Sequence, residues 1–175
     1  MNDNDASQQT LAQAKDLEIY GAVYEHSAWV AEIVLREGLP LKSETADAIA
    51  ERMAAVVEAS GRTRQLELLR LHPELASRTG IASDLTESSR SEQTSASLDQ
   101  CTPEEFARFQ QLNDNYRVRF GFPFIVAVTG LTRSDILEAF ETRIRNTEEI
   151  EFRTALDEVH KIARIRINKI KASQE

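Results

Sequence analysis

Cysteine and histidine are scarce in this chain. The single cysteine, Cys101, excludes an internal disulfide, and the three histidines, His26, His72 and His160, show no spacing typical of a zinc site. We therefore expect neither a disulfide scaffold nor a bound metal. A cysteine nucleophile is also disfavoured, because no histidine lies near Cys101 in the sequence to activate it.

Basic side chains are outnumbered by acidic ones. The chain has 21 Lys and Arg residues and 29 Asp and Glu residues, which gives a formal net charge of −8. Because nucleic-acid binding depends largely on a basic face, this balance argues against a nucleic-acid partner. No apolar run is long enough to cross a bilayer, and the opening MNDNDASQQT is polar and acidic where a secretory signal would be basic and then apolar. We expect a cytoplasmic protein without membrane contact.

Glycine and proline are also few, with six and four residues in a chain of 175. Most segments repeat their apolar residues every three or four positions, which is typical of amphipathic helices. The hydrophobic fraction of 41% is enough to build one core. The pattern predicts an all-α, single-domain bundle of about seven or eight helices over residues 11–175, after a flexible segment at residues 1–10.

Local signals place the helix boundaries in the first half of the chain. The first two helices are predicted at about residues 10–25 and 28–37, and Ser43 is predicted as the N-cap of a third. Residues 77–101 are rich in serine and threonine and are predicted to form a surface loop or linker.

The second half carries a more specific helix-start signal. The tetrapeptide TPEE (102–105) combines an N-cap threonine, a proline at the first helical position and a glutamate at the third. The apolar run FIVAV (124–128) is short enough to fit a strand, a buried turn or a helix. Ser134 is predicted to cap the next helix, and residues 146–149 to open the last one.

A leucine-rich helical run, RQLELLRL, ends at His72-Pro73. Proline has no N–H and pushes the preceding residue out of the α region, so His72 is predicted at or just past a helix C-terminus. A histidine there suits the negative end of the helix dipole, which is a purely structural interpretation. A catalytic role for its imidazole is the alternative, and these residues alone leave both open.

The last helix places a cation on its apolar face. At 100° per residue, Arg166 lies in the centre of that face, whereas Arg164 points to solvent. The apolar members of the face are Phe152, Leu156, Val159, Ile162, Ala163 and Ile170. A buried guanidinium must be paired, so Arg166 either forms a structural salt bridge with a buried carboxylate or binds an anion.

Five motifs together resemble the 2-oxo-4-hydroxy-4-carboxy-5-ureidoimidazoline (OHCU) decarboxylase family, from about residue 17 to residue 170. They are YEHSAWVAE (24–32), HPELA (72–76), SRSEQ (89–93), FGFPFIVAV (120–128) and EVHKIARIRI (158–167). Two departures are visible. Ala28 stands where the resemblance leads us to expect proline, and Ser97 stands where family members often have glycine.

The resemblance implies a lyase without a cofactor, usually a homodimer, that converts OHCU to (S)-allantoin in urate degradation. It implies His72, Glu92 and Arg166 as catalytic residues, with His72 as general acid and Glu92 as its charged partner or as acceptor of the hydroxyl proton. The substrate-binding positions that it implies are Pro73, Ser89, Arg90, Ser91, Glu92, Gln93, Phe124, Ile125, Val126, Ala127 and Val128.

Two other functions remain open at this point. One is a family member that acts on a related ureido acid, since one scaffold can host several activities. The other is a non-catalytic interaction module in which Arg166 and Glu92 form a buried structural pair and His72 ends a helix. The dimer interface and the division of proton transfer between His72 and Glu92 are not predictable from the sequence.

Overall fold

A computed structural model describes residues 3–37, 41–76 and 86–174. Within these ranges the chain forms eight α-helices, two short 3₁₀ turns and no strand, which confirms the all-α prediction. The helices are α1 Asp3–Tyr20, α2 Trp29–Arg36, α3 Ala46–Ala59, α4 Arg62–Arg70, α5 Glu87–Ser95, α6 Pro103–Phe120, α7 Arg133–Arg143 and α8 Glu148–Ala172. None of the helices in the described part of the chain is long and apolar enough to cross a membrane.

Helix boundaries follow local capping chemistry. The predicted start of α6 is confirmed, because Thr102 and Glu105 satisfy each other's backbone N–H groups in a capping box. The caps of α3 and α7 are Thr45 and Thr132, so the predictions of Ser43 and Ser134 were wrong. Helix α7 is capped by Thr132 rather than Ser134 because Asp135, three residues after Thr132, completes a second capping box.

Two predicted segments differ from the observed ones. The first helix runs from Asp3 to Tyr20 rather than over residues 10–25, and successive turns follow it at residues 21–26. The predicted loop at residues 77–101 contains α5, which Thr86 caps. Its sequence, ESSRSEQTS, has no apolar residue, so hydrophobic periodicity gave no signal for this helix. Residues 77–85 lie outside the described ranges.

The chain divides into two compact units. One contains the residues up to Leu68 together with the segment from Ala163 onward, and its core is formed largely by α2 and α3. Both helices place apolar side chains at helical spacing, so that one face of each is buried. The buried apolar side chains of the two helices include Val30, Val34, Leu35, Ile49, Met53 and Val57.

The other unit, Leu69–Ile162, has an aromatic core. The ring of Tyr116 on α6 lies at its centre, with four phenylalanine ring centroids 4.6 to 5.9 Å away. Phe124 and Phe140 stack on one another with 3.9 Å between centroids. These contacts anchor the FIVAV segment, through Phe124, to α6 and α7.

The backbone dihedral angles at Ala28 and Ser97, the two departures noted in the sequence, suit the residue types expected there. Ala28 has φ −54°, which a proline ring also adopts. Ser97 has φ 56° and ψ 28°, in the left-handed region that favours glycine. Its carbonyl accepts a hydrogen bond from Arg133 (3.1 Å), so this conformation is part of the contact between the end of α5 and α7.

We predict that Ser97→Gly stabilises the protein. A left-handed conformation costs an ordinary residue about 1–2 kcal/mol, and glycine relieves this strain. The greater conformational freedom of glycine in the unfolded state offsets about 0.5–1 kcal/mol of the resulting gain in stability. The melting temperature should therefore rise by about 2 °C. Ser95→Gly, the same exchange in the last turn of α5, is the control and should lower it. A lower melting temperature for Ser97→Gly would contradict this interpretation of the turn.

Candidate active site

The HPELA segment (72–76) begins where α4 ends. Helix α4 stops at Arg70, and the backbone N–H of His72 donates to the carbonyl of Leu69 at 3.2 Å. This confirms the prediction that His72 lies just past a helix C-terminus. His72 and Pro73 are half-buried, so part of each residue is exposed to solvent.

Gln93 on α5 binds the backbone of the HPELA segment with both ends of its amide. Its Nε2 donates to the carbonyl of Glu74 at 3.2 Å, and its Oε1 accepts from the N–H of Ala76 at 3.2 Å. The carboxylate of Glu74 also pairs with Arg117 on α6. The HPELA and SRSEQ motifs are therefore in direct contact in this unit.

Helix α6 holds the same segment from another direction. Gln110 Nε2 donates to the carbonyl of Ala76 at 2.8 Å, and Asn113 Nδ2 donates to the carbonyl of Leu75 at 2.9 Å. Ala76 has φ 48°, a strained conformation for a residue with a side chain. Three side-chain amides thus satisfy a turn that has no regular secondary structure of its own.

Helix α5 presents part of the SRSEQ motif (89–93) to the HPELA segment. Residues three and four positions apart share a helical face, so Ser89 lies with Glu92 and Gln93. Ser89 is buried, Glu92 and Gln93 are half-buried, and Arg90 and Ser91 are exposed. The motif therefore has an inward-facing set, which includes the glutamate, and an outward-facing set.

The FGFPFIVAV segment (120–128) begins at the end of α6. Gly121 has φ 74° and caps the helix, and its carbonyl accepts from Arg70 Nε at 3.0 Å. This bond ties the start of the segment to the end of α4, two residues before His72. Residues 123–128 form neither a helix nor a strand, so the FIVAV run is a mostly buried irregular segment.

Two charged side chains bind the backbone of the irregular segment. Arg143 on α7 donates to the carbonyl of Ile125 at 2.7 Å, and Glu158 on α8 accepts from the N–H of Ala127 at 2.7 Å. The guanidinium of Arg143 also lies 4.6 Å from the ring centroid of Phe124. The segment is held by side chains, as the HPELA segment is.

A buried carboxylate supports Arg143. The side chain of Glu151 has no exposed surface and accepts from Arg143 Nε at 2.9 Å, from Asn146 at 2.8 Å and from the Tyr116 hydroxyl. Burial, followed by the charge of Glu151, raises the pKa of Tyr116, so its hydroxyl remains a donor. Sequence analysis missed this network, although Glu151 directly precedes the buried stripe of α8.

Arg166 lies on the buried face of α8, as its position in the helix predicted, and is 3% exposed. One of its terminal nitrogens, Nη2, pairs with Glu25 Oε1 at 2.5 Å, and Nη1 donates to the carbonyl of Val23 at 3.2 Å. Glu25 is equally buried and has φ 53°. Arg164, by contrast, is exposed and pairs with Asp47. The buried carboxylate partner expected for a structural role is present, and the role of Arg166 toward a ligand stays a prediction.

Cys101 does not have the surroundings of a nucleophile. Burial, and next the nearby charge of Glu105, raise the pKa of its thiol, which disfavours the reactive thiolate. In the described ranges, no group of three or more His, Cys, Asp or Glu side chains is arranged to hold a metal ion.

Comparison with known proteins identifies the fold first. The chain superposes with a TM-score of 0.67 on a crystal structure of OHCU decarboxylase in the presence of (S)-allantoin, covering 86% of this chain and 96% of that one at 20% identity. It superposes with a TM-score of 0.72 on the crystal structure of an (S)-allantoin synthase at 36% identity. That match covers 90% of this chain and 50% of the synthase chain.

Sequence comparison then identifies the family. The family model for OHCU decarboxylase matches residues 9–168. The chain is 44% identical over 151 residues to the 2-oxo-4-hydroxy-4-carboxy-5-ureidoimidazoline decarboxylase of Haloferax volcanii, with 86% of each chain covered. The chain therefore belongs to the OHCU decarboxylase family.

Proposed function

We propose that this protein decarboxylates OHCU to (S)-allantoin, the last step from urate to (S)-allantoin in urate degradation. The observation that carries the proposal is the double hydrogen bond of Gln93, which joins the two motifs of His72 and Glu92 within a chain of this family. The proposal extends to a homodimer in the cytoplasm in which residues 11–175 form the functional domain, as the family resemblance implies.

The chemistry needs a proton donor and a stabilised ring anion. Breaking the bond between CO₂ and the hydroxyl-bearing carbon sends the electron pair into the adjacent C=N. The ureido-bearing carbon then takes a proton on one face. The substrate is its own electron sink, so no organic cofactor is required.

The proton transfers are assigned to His72 and Glu92. Imidazole titrates near neutral pH, which suits a general acid, and His72 borders solvent at the end of α4. Glu92, on the inward face of α5, is its charged partner or the acceptor of the hydroxyl proton. A histidine that donates its proton from one fixed position reaches only one face of the intermediate, which accounts for a single enantiomer.

Fixed hydrogen-bond donors stabilise the developing negative charge on the ring. We assign this role to the backbone of residues 124–128 and to Arg166. Pro73 and residues 89–93 complete the proposed binding set, in which Ser89 and the second N–H of Gln93 offer neutral hydrogen bonds to the ureido group. Exposed Arg90 and Ser91 belong to the set only through the motif.

The direct test of the function is optical. OHCU is generated in situ from urate with the two upstream enzymes, and the circular dichroism of the product is followed with and without this protein. The protein should accelerate the appearance of optically active (S)-allantoin, and EDTA should not change the rate. A racemic product formed at the spontaneous rate would contradict the proposal.

We predict that His72→Asn lowers turnover by about a hundredfold or more, because loss of a general acid typically costs 10²–10⁴ in rate. The fold should persist, since a histidine at a helix end contributes only about 1 kcal/mol. The measurements are the stereospecific assay and a thermal melt. A variant that retains most of its turnover, or one that is unfolded, would refute the catalytic role of His72.

We predict that Arg166→Lys lowers kcat/KM by about ten- to a hundredfold. Lysine keeps the charge but loses the planar fork, and a charge-assisted hydrogen bond contributes about 1.5–3 kcal/mol. Arg164→Lys, two positions along α8 and exposed, is the control and should change kcat/KM less than about twofold. Greater damage in the Arg164 variant would show that the assignment of Arg166 is wrong.

A further inference from the structure

The irregular FIVAV segment (124–128) needs partners for its backbone polar groups. Phe124, Ile125, Ala127 and Val128 are buried, and a buried N–H or carbonyl without a hydrogen bond is costly. No ladder or helix within the segment supplies these bonds. Two of the partners come from neighbouring helices, and the carbonyl of Val128 accepts from the N–H of Leu131, just after the segment, at 3.0 Å.

Glu158 is the partner of the Ala127 N–H. Its Oε2 accepts that hydrogen bond at 2.7 Å, which is short enough for a charge-assisted bond. The side chain is only 18% exposed, and its other oxygen lies 3.5 Å from the Lys161 ammonium one turn further along α8. Glu158 thus contacts Lys161 on its own helix with one oxygen and binds the segment with the other.

A second anchor lies two residues earlier in the segment. Arg143 binds the carbonyl of Ile125 at 2.7 Å and is itself fixed by the buried Glu151. With one anchor from α7 and one from α8, the backbone between residues 125 and 127 has little freedom to rotate. The charge of Glu158 is not required to neutralise Arg143, because Glu151 already does so. The hydrogen bond of Glu158 to the segment is therefore separate from the pairing of Arg143 with Glu151.

We propose that Glu158 is a positioning residue for the decarboxylation, because it fixes the backbone at Ala127 and thereby aims the segment's other N–H groups at the substrate. This inference rests on the proposed function, which assigns the backbone of residues 124–128 to substrate binding. It also assigns the Ala127 N–H to Glu158 rather than to the substrate.

The test is a comparison of Glu158 variants in the stereospecific assay. Glu158→Ala should lower kcat/KM by about tenfold or more, since small displacements of groups that orient a substrate cost up to about a hundredfold. Most of the loss should fall on kcat, because these donors act on charge that develops in the transition state. Glu158→Gln keeps an oxygen that can accept from Ala127 and should stay within about threefold of the unchanged protein.

Asp157→Ala is the matched control. Asp157 is the neighbouring acidic residue on α8, its side chain is 65% exposed, and it pairs with Arg153 one turn earlier. Its loss should change kcat and KM less than about twofold. Glu158→Met keeps the length of the side chain but removes the acceptor. If the alanine variant does not fold, the methionine variant should show the loss in kcat/KM of about tenfold or more that is expected for alanine.

If the unchanged protein is active, three results would overturn the inference. The first is a normal kcat in the Glu158→Ala or Glu158→Met variant, and the second is a Glu158→Gln variant as impaired as the alanine variant. The third is that all three variants are unfolded. An unchanged protein that gives no optically active product would instead refute the proposed function itself. The two failures are therefore distinguishable in one set of assays.

Discussion

The paired hydrogen bonds between the Gln93 amide and the HPELA backbone are the interaction on which the candidate site depends. They connect α5 to the strained turn at Ala76, and α6 adds Gln110 and Asn113 to the same turn. A positive φ at a residue with a side chain persists only where surrounding contacts determine it. His72, which opens this segment, therefore takes its position from side chains of two helices as well as from the end of α4.

The second irregular segment follows the same physical rule. Its carbonyl at Ile125 and its N–H at Ala127 are satisfied by Arg143 and Glu158, and the fully buried Glu151 keeps Arg143 in place. Helices satisfy their own backbone groups and leave few donors for a ligand, whereas an irregular segment can present them. Long-range side-chain contacts give such a segment the rigidity that it lacks by itself.

Some features that depend on neighbouring residues were predictable from the sequence, although Ser43 and Ser134 were wrong as helix caps, and features that depend on distant residues were not. The Thr102 capping box and the burial of Arg166 follow from spacings of three and four residues, and both are confirmed. Helix α5 carries no apolar residue, so its location beside the HPELA segment left no periodic signal. The bonds of Gln93 and Glu158 span 17 to 31 residues, and nothing in the local sequence encodes such partners. The resemblance to the family supplied His72 and Glu92 as candidate functional residues, which periodicity could not.

The central claim is tested most directly by amide hydrogen exchange at Ala76 and Ala127. The N–H groups of these residues, which lie in the HPELA segment and the FIVAV segment, respectively, bind side-chain acceptors. If side chains fix both segments, these amides should exchange slowly, within about tenfold of interior amides of the adjoining helix α6, because exchange requires the local structure to open. Exchange at the rate of an unprotected, solvent-exposed amide at either position would contradict the claim that side-chain contacts hold the candidate site in place.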